Sequence, residues 1–339
     1  YEPFGVSAQV IPWNFPVSLV ARSLAPALAA GNSVVIKSPE LTPLAVSLLA
    51  EAIVKAKVPP GAVNIICGYG HEAGAALVSH GDIDQIVFTG SVATGQSIMQ
   101  AATEYVVPCV MELGGKSAGV VFADADLDQV ITSAEVGNLF NSGQVCSAMS
   151  RLIVHESIYD EVKQRLVTSF AAKSVGSGKD EADVTPILTQ AQLDKIVAMC
   201  AGAKAQGAKC LIGGEALLRT GYFMPPTIIE AAVDTEIAQQ EVFGPVLVLM
   251  KFDSEQQAYA MANGTDFGLV AGVFTQNVSL ALRASRALVA GQVFVNEWFA
   301  GGISTPFGGV GKSGFGREKG QEALYNYVRT KNIAIRLTP

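Results

Sequence analysis

The sequence predicts an α/β protein with largely parallel sheets, and three features of the chain predict it. Short apolar runs alternate with longer segments of helical periodicity, which is typical of βαβ units. Hydrophobic residues make up 50% of the chain and charged residues 16%, as expected for a compact globular protein. The length of 339 residues suggests about two domains, each with its own core.

The first third of the chain alternates between strands and helices. Apolar runs bounded by glycine or proline predict strands at 6–11, 33–37, 63–67, 85–89 and 107–113. The segments between them, rich in alanine and leucine, predict helices at 17–30, 43–56, 70–79 and 92–103. We therefore place a first domain at 1–114.

The alternation resumes beyond Gly114-Gly115 with a new set of elements. Strands are predicted at 118–122, 151–155, 209–212, 246–252, 270–275 and 292–296, and helices at 127–141, 159–173, 190–206, 255–263 and 278–288. The spacing of Asp124, Asp126 and Asp128 is that of a calcium loop. The sixth position of that loop is Gln129 instead of glycine, so a helix N-cap is the preferred interpretation. We place a second domain at 115–312.

The two ends of the chain carry separate expectations. The tail Asn332–Leu337 alternates apolar and polar residues, which predicts an exposed strand that seeks a partner sheet. The first residue is Tyr1 instead of Met, and Tyr1–Val6 has the composition of a strand entry inside a domain. We therefore expect that an N-terminal piece is missing.

Composition and charge argue against several classes of function. The net charge is −7 without a basic block, so nucleic acid and anionic membranes are poor partners, and no apolar run is long enough for a membrane helix. Five cysteines without CxxC spacing argue against a zinc site or a disulfide framework and favour a reducing, cytoplasmic location. The three histidines form no ligand-spaced pair, so no metal is expected.

Cys146 lies in the stretch Gly143-Gln144-Val145-Cys146-Ser147, and Glu112 precedes it beyond a predicted helix. A cysteine thiolate is a strong nucleophile, and a carboxylate can act as its partner base. Considered alone, Cys146 is equally consistent with a small buried hydrophobic residue.

Asn14 lies in the stretch Pro12-Trp13-Asn14-Phe15-Pro16, where two prolines fix the loop. A rigidly held amide is a good donor to an oxyanion. The alternative is an ordinary turn in which Asn14 bonds its own backbone.

Three further turns follow predicted strands, where ligands bind in open α/β sheets. Lys37 and Glu40 follow the second strand and suit a ribose diol, although a solvated ion pair is the alternative. Thr89-Gly90-Ser91 with Gly95, and the turn at Gly68-Tyr69-Gly70, can each offer backbone N–H groups to a phosphate. An ordinary βα turn remains the alternative for both.

Together and in this order, these segments resemble the aldehyde dehydrogenase superfamily. The matching segments are PWNFP (12–16), FTGS (88–91), MELGGKS (111–117), GQVC (143–146), EVFGP (241–245) and PFGGVGKSGFGRE (306–318). The resemblance runs from Tyr1 to Pro339. It implies a Rossmann-like NAD domain at 1–114, a catalytic domain at 115–312, and a C-terminal return with an oligomerisation strand at 313–339.

The resemblance also implies catalytic roles. Cys146 resembles the nucleophile, Glu112 the general base, Asn14 the amide that stabilises the oxyanion, and Glu318 a proton relay. The implied reaction oxidises an aldehyde to the carboxylic acid through a thiohemiacetal and a thioester on Cys146, which Glu112 then helps to hydrolyse.

For the cofactor, the resemblance implies NAD. Lys37 and Glu40 would contact the adenosine ribose, Ser91 the pyrophosphate, and Glu241 and Phe243 the nicotinamide ribose and ring. The predicted cofactor residues also include Gly70, Gly90, Gly95 and Leu113. A carboxylate at Glu40 repels a 2′-phosphate, so NAD is expected over NADP, which stays an alternative. The order Lys-Ser-Pro-Glu departs from the commoner Lys-Pro-Ser-Glu of the family.

The substrate pocket predicted from the resemblance is apolar and partly aromatic, which suits an aliphatic or aromatic aldehyde. Its residues are Trp13, Leu19, Arg22, Phe140, Trp298, Phe299 and Phe307. Arg22 occupies the place of one carboxylate-binding arginine of semialdehyde dehydrogenases. The place of their second arginine is Phe140, which argues against a dicarboxylic semialdehyde.

Several alternatives stay open from the sequence. The chain could be a catalytically silent fragment, because family members begin well before Tyr1. A coenzyme A-acylating or semialdehyde enzyme is a further alternative, although acylating members generally lack the glutamate found at Glu112. A homodimer or homotetramer is expected for the full-length protein, and the sequence does not name the aldehyde.

Overall fold

A computed structural model describes residues 1–338 of the chain. The strands are β1 (Glu2–Pro3), β2 (Val6–Val10), β3 (Ser33–Lys37), β4 (Val63–Ile66), β5 (Gln85–Thr89), β6 (Cys109–Glu112), β7 (Ser117–Val121), β8 (Met149–His155), β9 (Lys209–Ile212), β10 (Thr227–Glu230), β11 (Val246–Phe252), β12 (Phe267–Gly268), β13 (Val270–Phe274), β14 (Gln292–Val295), β15 (Val310–Gly311), β16 (Gly314–Phe315) and β17 (Val328–Arg329).

The α-helices are α1 (Pro16–Ala29), α2 (Pro43–Lys55), α3 (Ala75–Val78), α4 (Val92–Ala102), α5 (Leu127–Leu139), α6 (Tyr159–Ala171), α7 (Gln190–Ala205), α8 (Glu236–Gln239), α9 (Glu255–Asn263) and α10 (Val278–Ala287). Gly70–Gly74 forms a π-helical turn. Single 3₁₀ segments lie at Phe140–Gly143, Glu156–Ile158, Gly178–Asp180 and Gln321–Tyr327.

The described chain divides into two compact units. The first unit contains residues 1–113, 303–308 and 314–338, and the second contains 114–302 and 309–313. The second unit thus begins at Gly114, next to the boundary that the sequence predicts. Residues 303–308 group with the first unit, whereas the sequence places them in the second domain. The functions assigned to the domains stay a prediction.

The first unit is built on a six-stranded sheet of order β16-β6-β5-β2-β3-β4. The strands from β6 to β4 are parallel, and β16 pairs antiparallel with β6. After β2, the chain adds β3 and β4 on one side of β2 and then β5 and β6 on the other. The strand order therefore reverses between β2 and β5. The carboxyl ends at such a reversal are where open α/β sheets bind ligands.

Helices cover both faces of this sheet. Leu19 and Val20 of α1 pack with Ile36 and Val87 on one face. Ile98 of α4 packs with Phe88 and Met111 on the other. A parallel sheet covered on both faces needs apolar residues on both sides of each strand, which explains the apolar runs in the sequence.

The second unit is built on a seven-stranded sheet of order β14-β13-β7-β8-β11-β10-β9. All of its pairs are parallel except β9, which runs antiparallel to β10. One face carries a core that includes Val120, Ile196, Val248 and Ala284. The alternation of apolar and helical segments predicts an α/β fold with largely parallel sheets, and this prediction is confirmed for both units.

Local chemistry explains several helix starts. Asp126 caps α5, because its Oδ1 accepts hydrogen bonds from the N–H groups of Asp128 and Gln129 at 3.0 and 3.3 Å. Asp124 instead accepts hydrogen bonds from Thr275 and Gln276. The N-cap interpretation is confirmed, and both aspartates have structural partners.

The segment predicted as a helix at 70–79 is helical from Gly70 to Val78, with a π-helical turn before the short α3. The tail Asn332–Leu337 forms no strand within residues 1–338. Its Ile333, Ile335 and Leu337 are 73–86% exposed. A strand forms only where another strand satisfies its backbone groups, and within residues 1–338 the tail pairs with none. The pairing of this tail with a partner sheet therefore stays a prediction.

Among the residues that the structure describes, no helix is long and apolar enough to cross a membrane.

Candidate functional site: a strand-end groove and a cysteine loop

A groove of about 660 Å³ opens in the first unit at the reversal between β2 and β5. Ile11 and Pro12 follow β2, Lys37 ends β3, and Thr89 and Gly90 lie at the end of β5. The groove therefore lies at the carboxyl ends of the strands, where the sequence places the cofactor residues.

Lys37 and Glu40 form an ion pair at one end of this groove. The Lys37 side chain is 3% exposed, whereas that of Glu40 is 36% exposed. Glu40 also accepts a hydrogen bond from the Gly70 N–H at 3.3 Å. Burial opposes ionisation of Glu40, but the hydrogen bond from Lys37 lowers its pKa. The groove thus presents a fixed, accessible carboxylate.

Ser91 is the N-cap of α4. Its Oγ accepts a hydrogen bond from the Thr94 N–H at 3.2 Å. The first turn of this helix faces the groove, so its positive end is directed at a ligand there. Gly95 has another role, because a Cβ at this position would lie 2.7 Å from Leu113 Cδ2. Gly95 allows α4 to pack closely on Leu113.

Asn14 and Trp13 lie between β2 and α1, and both are half-buried. Pro16 at the start of α1 fixes the exit from this loop. Thr42 donates a hydrogen bond to the Trp13 carbonyl oxygen at 3.1 Å, which ties the loop to the start of α2. The loop is therefore held on both sides.

Glu112 is the last residue of β6 and is 3% exposed. Its carbonyl oxygen accepts a hydrogen bond from the Gly90 N–H at 3.0 Å. The backbone positions of Glu112 and of the β5 turn are therefore coupled. A carboxyl group this deeply buried is placed for chemistry or for a structural contact rather than for solvation.

In the second unit, Cys146 follows a strained turn. Asn141, Ser142 and Gly143 all have positive φ angles of 49°, 56° and 71°. Two consecutive residues other than glycine in this region cost free energy, and such strain persists only where surrounding contacts enforce it. The predicted helix at 127–141 ends early at Leu139 because of this turn.

Two side chains of the turn hold it in place. Ser142 Oγ donates to the Thr185 carbonyl oxygen at 2.7 Å and accepts from the Thr185 N–H at 3.0 Å. Gln144 Oε1 accepts a hydrogen bond from the Leu188 N–H at 2.9 Å. Sequence reasoning missed Ser142 and Thr185, because nothing in the sequence links positions 43 residues apart.

The Cys146 backbone is also enclosed. A Cβ at Gly115 would lie 2.5 Å from the Cys146 carbonyl oxygen, so Gly115 is needed for close approach. Trp298 donates its indole N–H to the Ser147 carbonyl oxygen at 3.1 Å. Trp298 is 7% exposed, and its ring lies against Gly137 and Gly272. The structure thus gives Trp298 a bracing contact, and its role in a substrate pocket stays a prediction.

Phe140, which is exposed, and Phe299, which is half-buried, form an aromatic pair in the same unit. Their ring centroids are 6.0 Å apart in an edge-to-face arrangement, and Phe140 is 54% exposed. Phe299 in turn contacts Trp298 at 6.5 Å. An accessible aromatic surface therefore extends outward from Trp298.

Glu241 lies beside the start of the second unit. Its Oε1 accepts a hydrogen bond from the Gly115 N–H at 3.0 Å. Burial raises the pKa of Glu241 to about 7. Phe243 has a φ of 55°, and Gln192 donates to its carbonyl oxygen at 3.0 Å. The Glu241–Phe243 turn is therefore fixed by α7.

Lys116 is a feature that the sequence analysis passed over. It is 1% exposed, and its Nζ has no hydrogen-bond partner among the described residues. Burial, together with the nearby Arg151 guanidinium, lowers the pKa of Lys116 to about 7. The sequence signal was its place in MELGGKS, but nothing in that motif indicates burial.

Arg22 and Glu318 meet in the first unit. Arg22 Nη2 lies 2.8 Å from Glu318 Oε2, and their side chains are 15% and 4% exposed. The Arg22 guanidinium lies 4.5 Å from the centroid of the Phe307 ring. Leu19, also predicted for the substrate pocket, is a core residue of the same helix.

The structure gathers the predicted residues separately within each unit. In the first unit, the groove brings together Trp13, Lys37, Glu40, Gly70, Gly90 and Ser91. In the second, Cys146 lies against Gly115, which bonds Glu241. The functional roles of all these residues remain predictions.

Comparison with sequence families gives one match over nearly the whole chain. The sequence model described as "Aldehyde dehydrogenase family" matches residues 1–333.

Individual relatives agree with this match. An aldehyde dehydrogenase of Emericella nidulans is 43% identical over 99% of this chain and 68% of its own length. Human retinal dehydrogenase 2 is 43% identical over 99% of this chain and 66% of its own length. A solved NAD⁺ complex of an aldehyde dehydrogenase from Bacillus cereus is 39% identical. Its TM-score is 0.97 over 99% of this chain and 69% of that one. The chain therefore spans about two thirds of the length of these relatives.

Proposed function

Because this chain belongs to the aldehyde dehydrogenase family, we propose that it oxidises an aldehyde to the carboxylic acid with NAD as the hydride acceptor. The observation that carries the proposal is the groove at the carboxyl ends of β2, β3 and β5, with Glu40 and the start of α4 at its wall. The same family match covers the segment of Cys146, which supplies the nucleophile.

The groove residues fit NAD. The Glu40 carboxylate can accept a hydrogen bond from a ribose hydroxyl and repels a 2′-phosphate, which favours NAD over NADP. The amino end of α4 suits the pyrophosphate. Glu241 and Phe243 would hold the nicotinamide end. When bound, NAD supplies an acceptor for one hydride.

The reaction at Cys146 follows from its chemistry. The thiolate adds to the aldehyde carbon, and the carbonyl oxygen becomes an oxyanion that the Asn14 amide stabilises. Loss of hydride leaves a thioester on Cys146. Glu112 takes a proton from water, which attacks the thioester carbon, and the acid leaves while the thiol is restored.

The pocket residues support an uncharged aldehyde. The pair of exposed Phe140 and half-buried Phe299 offers an apolar aromatic surface, which suits an aliphatic or aromatic chain. Assembly of the protein as a homodimer or homotetramer stays a prediction, as does its cytoplasmic location.

The test is a panel of short aliphatic, aromatic, semialdehyde and betaine-type aldehydes, with NADH formation as the readout. We expect NADH and free acid from uncharged aldehydes, and no acyl-thioester product when coenzyme A is added. Cys146→Ala should abolish turnover while NAD still binds. Cys210→Ser is the matched control, because the Cys210 Sγ donates to backbone carbonyl oxygens at 3.3–3.4 Å and a serine hydroxyl can do the same.

Two results would contradict the proposal. The absence of NADH with every aldehyde, while iodoacetamide still labels Cys146, would favour a silent fragment. Formation of acyl-coenzyme A would favour an acylating enzyme instead.

A further inference from the structure

Arg22 is the cation among the residues predicted for the substrate pocket, and its partner decides what it can bind. Its Nη2 atom lies 2.8 Å from Glu318 Oε2, although the angle of approach is not that of a hydrogen bond. Both Arg22 Nε and Nη2 are shielded from solvent. The charge of Arg22 is therefore already directed at a carboxylate of the same chain.

The geometry of the guanidinium limits a second carboxylate. An arginine binds a carboxylate at two points either through Nε and Nη2 or through Nη1 and Nη2. Both arrangements use Nη2, which is shielded from solvent and lies 2.8 Å from the Glu318 carboxylate. One face of the guanidinium also lies over the Phe307 ring at 4.5 Å. A substrate carboxylate would have only Nη1 and would meet the negative charge of Glu318 beside it.

The surroundings of Glu318 explain why it needs Arg22. Glu318 is 4% exposed, and Thr89 Oγ1 lies 3.5 Å from its Oε1. Its backbone N–H and carbonyl oxygen bond Phe307 at 2.6 Å in both directions. Burial raises the pKa of Glu318, and the Arg22 charge is the strongest effect that opposes this rise. Lys319 opposes it more weakly, and the buried Tyr327 hydroxyl also faces Glu318.

We propose that Arg22 is the internal counter-ion of Glu318 and is not a receptor for a substrate carboxylate, so that the chain selects aldehydes without a carboxylate at that end. The choice of substrate class rests on the proposed function, whereas the pairing does not. In this arrangement Arg22 is a positioning residue that holds Glu318.

The pairing is tested by a double-mutant cycle of unfolding, which needs no turnover. Arg22→Met keeps the aliphatic stem over Phe307, and Glu318→Gln keeps the bond with Thr89. Each single variant leaves one buried charge unpaired and should lower the urea midpoint, whereas the double variant should lose less than the sum of the two. The control cycle is Arg283→Met with Glu255→Gln, an exposed pair at 3.0 Å that should be nearly additive. Additive losses at Arg22 and Glu318 would overturn the pairing.

The pH dependence separates an electrostatic role from a merely structural one. Without Arg22, the pKa of Glu318 rises further, so its protonated form is favoured in the folded state. The protonated Glu318 carboxyl group therefore stabilises the folded state in acid, and this stabilisation is lost as the pH rises. The midpoint loss caused by Arg22→Met should therefore shrink as the pH falls, while Arg22→Lys, which keeps the charge, should show little pH dependence. An Arg22→Met loss that is constant with pH would contradict the counter-ion role.

The substrate class is tested with butanal and 4-oxobutanoate, which have equal chain lengths. The unmodified chain should prefer butanal, and Arg22→Met should change the ratio of the two kcat/KM values by less than about threefold. If Arg22 receives the carboxylate, Arg22→Met loses at least about tenfold on 4-oxobutanoate alone, which overturns the proposal. If neither aldehyde turns over, the proposed function fails while the unfolding cycle still decides the pairing.

Discussion

Gly143 and Gly244 lie so close that a Cβ on Gly143 would overlap the Gly244 carbonyl oxygen. Gly143 also has a φ of 71°, which residues other than glycine adopt at a cost. The contact fixes the turn before Cys146 against the turn that carries Glu241 and Phe243. Both of these turns therefore depend on the absence of one side chain.

Gly143→Ala should destabilise the protein by about 2–4 kcal/mol, because steric overlap and backbone strain add. The measurement is the urea midpoint together with the rate of iodoacetamide labelling at Cys146, which should also change. Gly202→Ala is the control. Gly202 lies inside α7, and among the described residues no atom beyond its own stretch of helix backbone lies within 4 Å of an added Cβ, so this change should stabilise by about 0.5–1 kcal/mol. A Gly143→Ala protein as stable as the parent would contradict the packing described here.

Glu112→Gln should separate the two halves of the proposed reaction. The thioester should still form and release one equivalent of NADH per active chain, but its hydrolysis should slow by about 10²–10⁴-fold, because the general base is lost. Rapid-mixing measurement of NADH would show a burst followed by slow turnover. The exposed Glu104→Gln should behave as the parent. Steady turnover of Glu112→Gln without a burst would count against the role of Glu112.

Glu40→Gln should weaken the preference for NAD. Removal of the negative charge removes the repulsion of a 2′-phosphate and leaves Lys37 unpaired and free to attract it, so the ratio of NADP to NAD affinity should rise about tenfold or more. Equilibrium binding of both nucleotides measures this ratio directly. Glu51→Gln on α2 is a suitable control, since the Glu51 side chain is 65% exposed and lies outside the groove. An unchanged ratio would show that Glu40 does not distinguish NAD from NADP at the ribose.

The stability of the folded protein should depend on pH through the titration of Glu241 and Lys116. The pKa of Glu241 is raised from 4.5 to about 7, so the folded state holds an extra proton in that range. Its stabilising contribution is complete in acid and is lost as the pH rises toward 7. The pKa of Lys116 is lowered from 10.5 to about 7, so the folded state there holds fewer protons, and stability rises as the pH increases from 7 toward 10.5.

Together these two groups predict a stability minimum near neutral pH, with stability higher by roughly 3 kcal/mol on the acid side and roughly 5 kcal/mol on the alkaline side. Glu241→Gln should flatten the acid side, and Lys116→Met should flatten the alkaline side. Urea midpoints across the pH range measure both. The exposed Glu236→Gln should leave the profile as it is. A profile that is unaffected by either variant would show that these groups keep ordinary pKa values.

The sequence by itself determined the alternation of strands and helices, the cap at Asp126 and the family of the chain. These features are local or depend on motif order, and short-range periodicity or capping chemistry is enough to fix them. The same reasoning placed Lys37, Glu40 and Ser91 at strand ends, since parallel strands bring their carboxyl ends to one edge.

Only the tertiary structure decided what depends on contacts between distant segments. Ser142 bonds Thr185, Trp298 bonds Ser147 and Arg22 pairs with Glu318. Lys116 is buried, and its Nζ has no hydrogen-bond partner among the residues that the structure describes. The tail 332–337 has the alternation of a strand but is not one here, because a strand requires a partner that the tail's own sequence cannot supply. Whether a side chain is charged likewise depends on its burial and its neighbours, and no local sequence pattern predicts these.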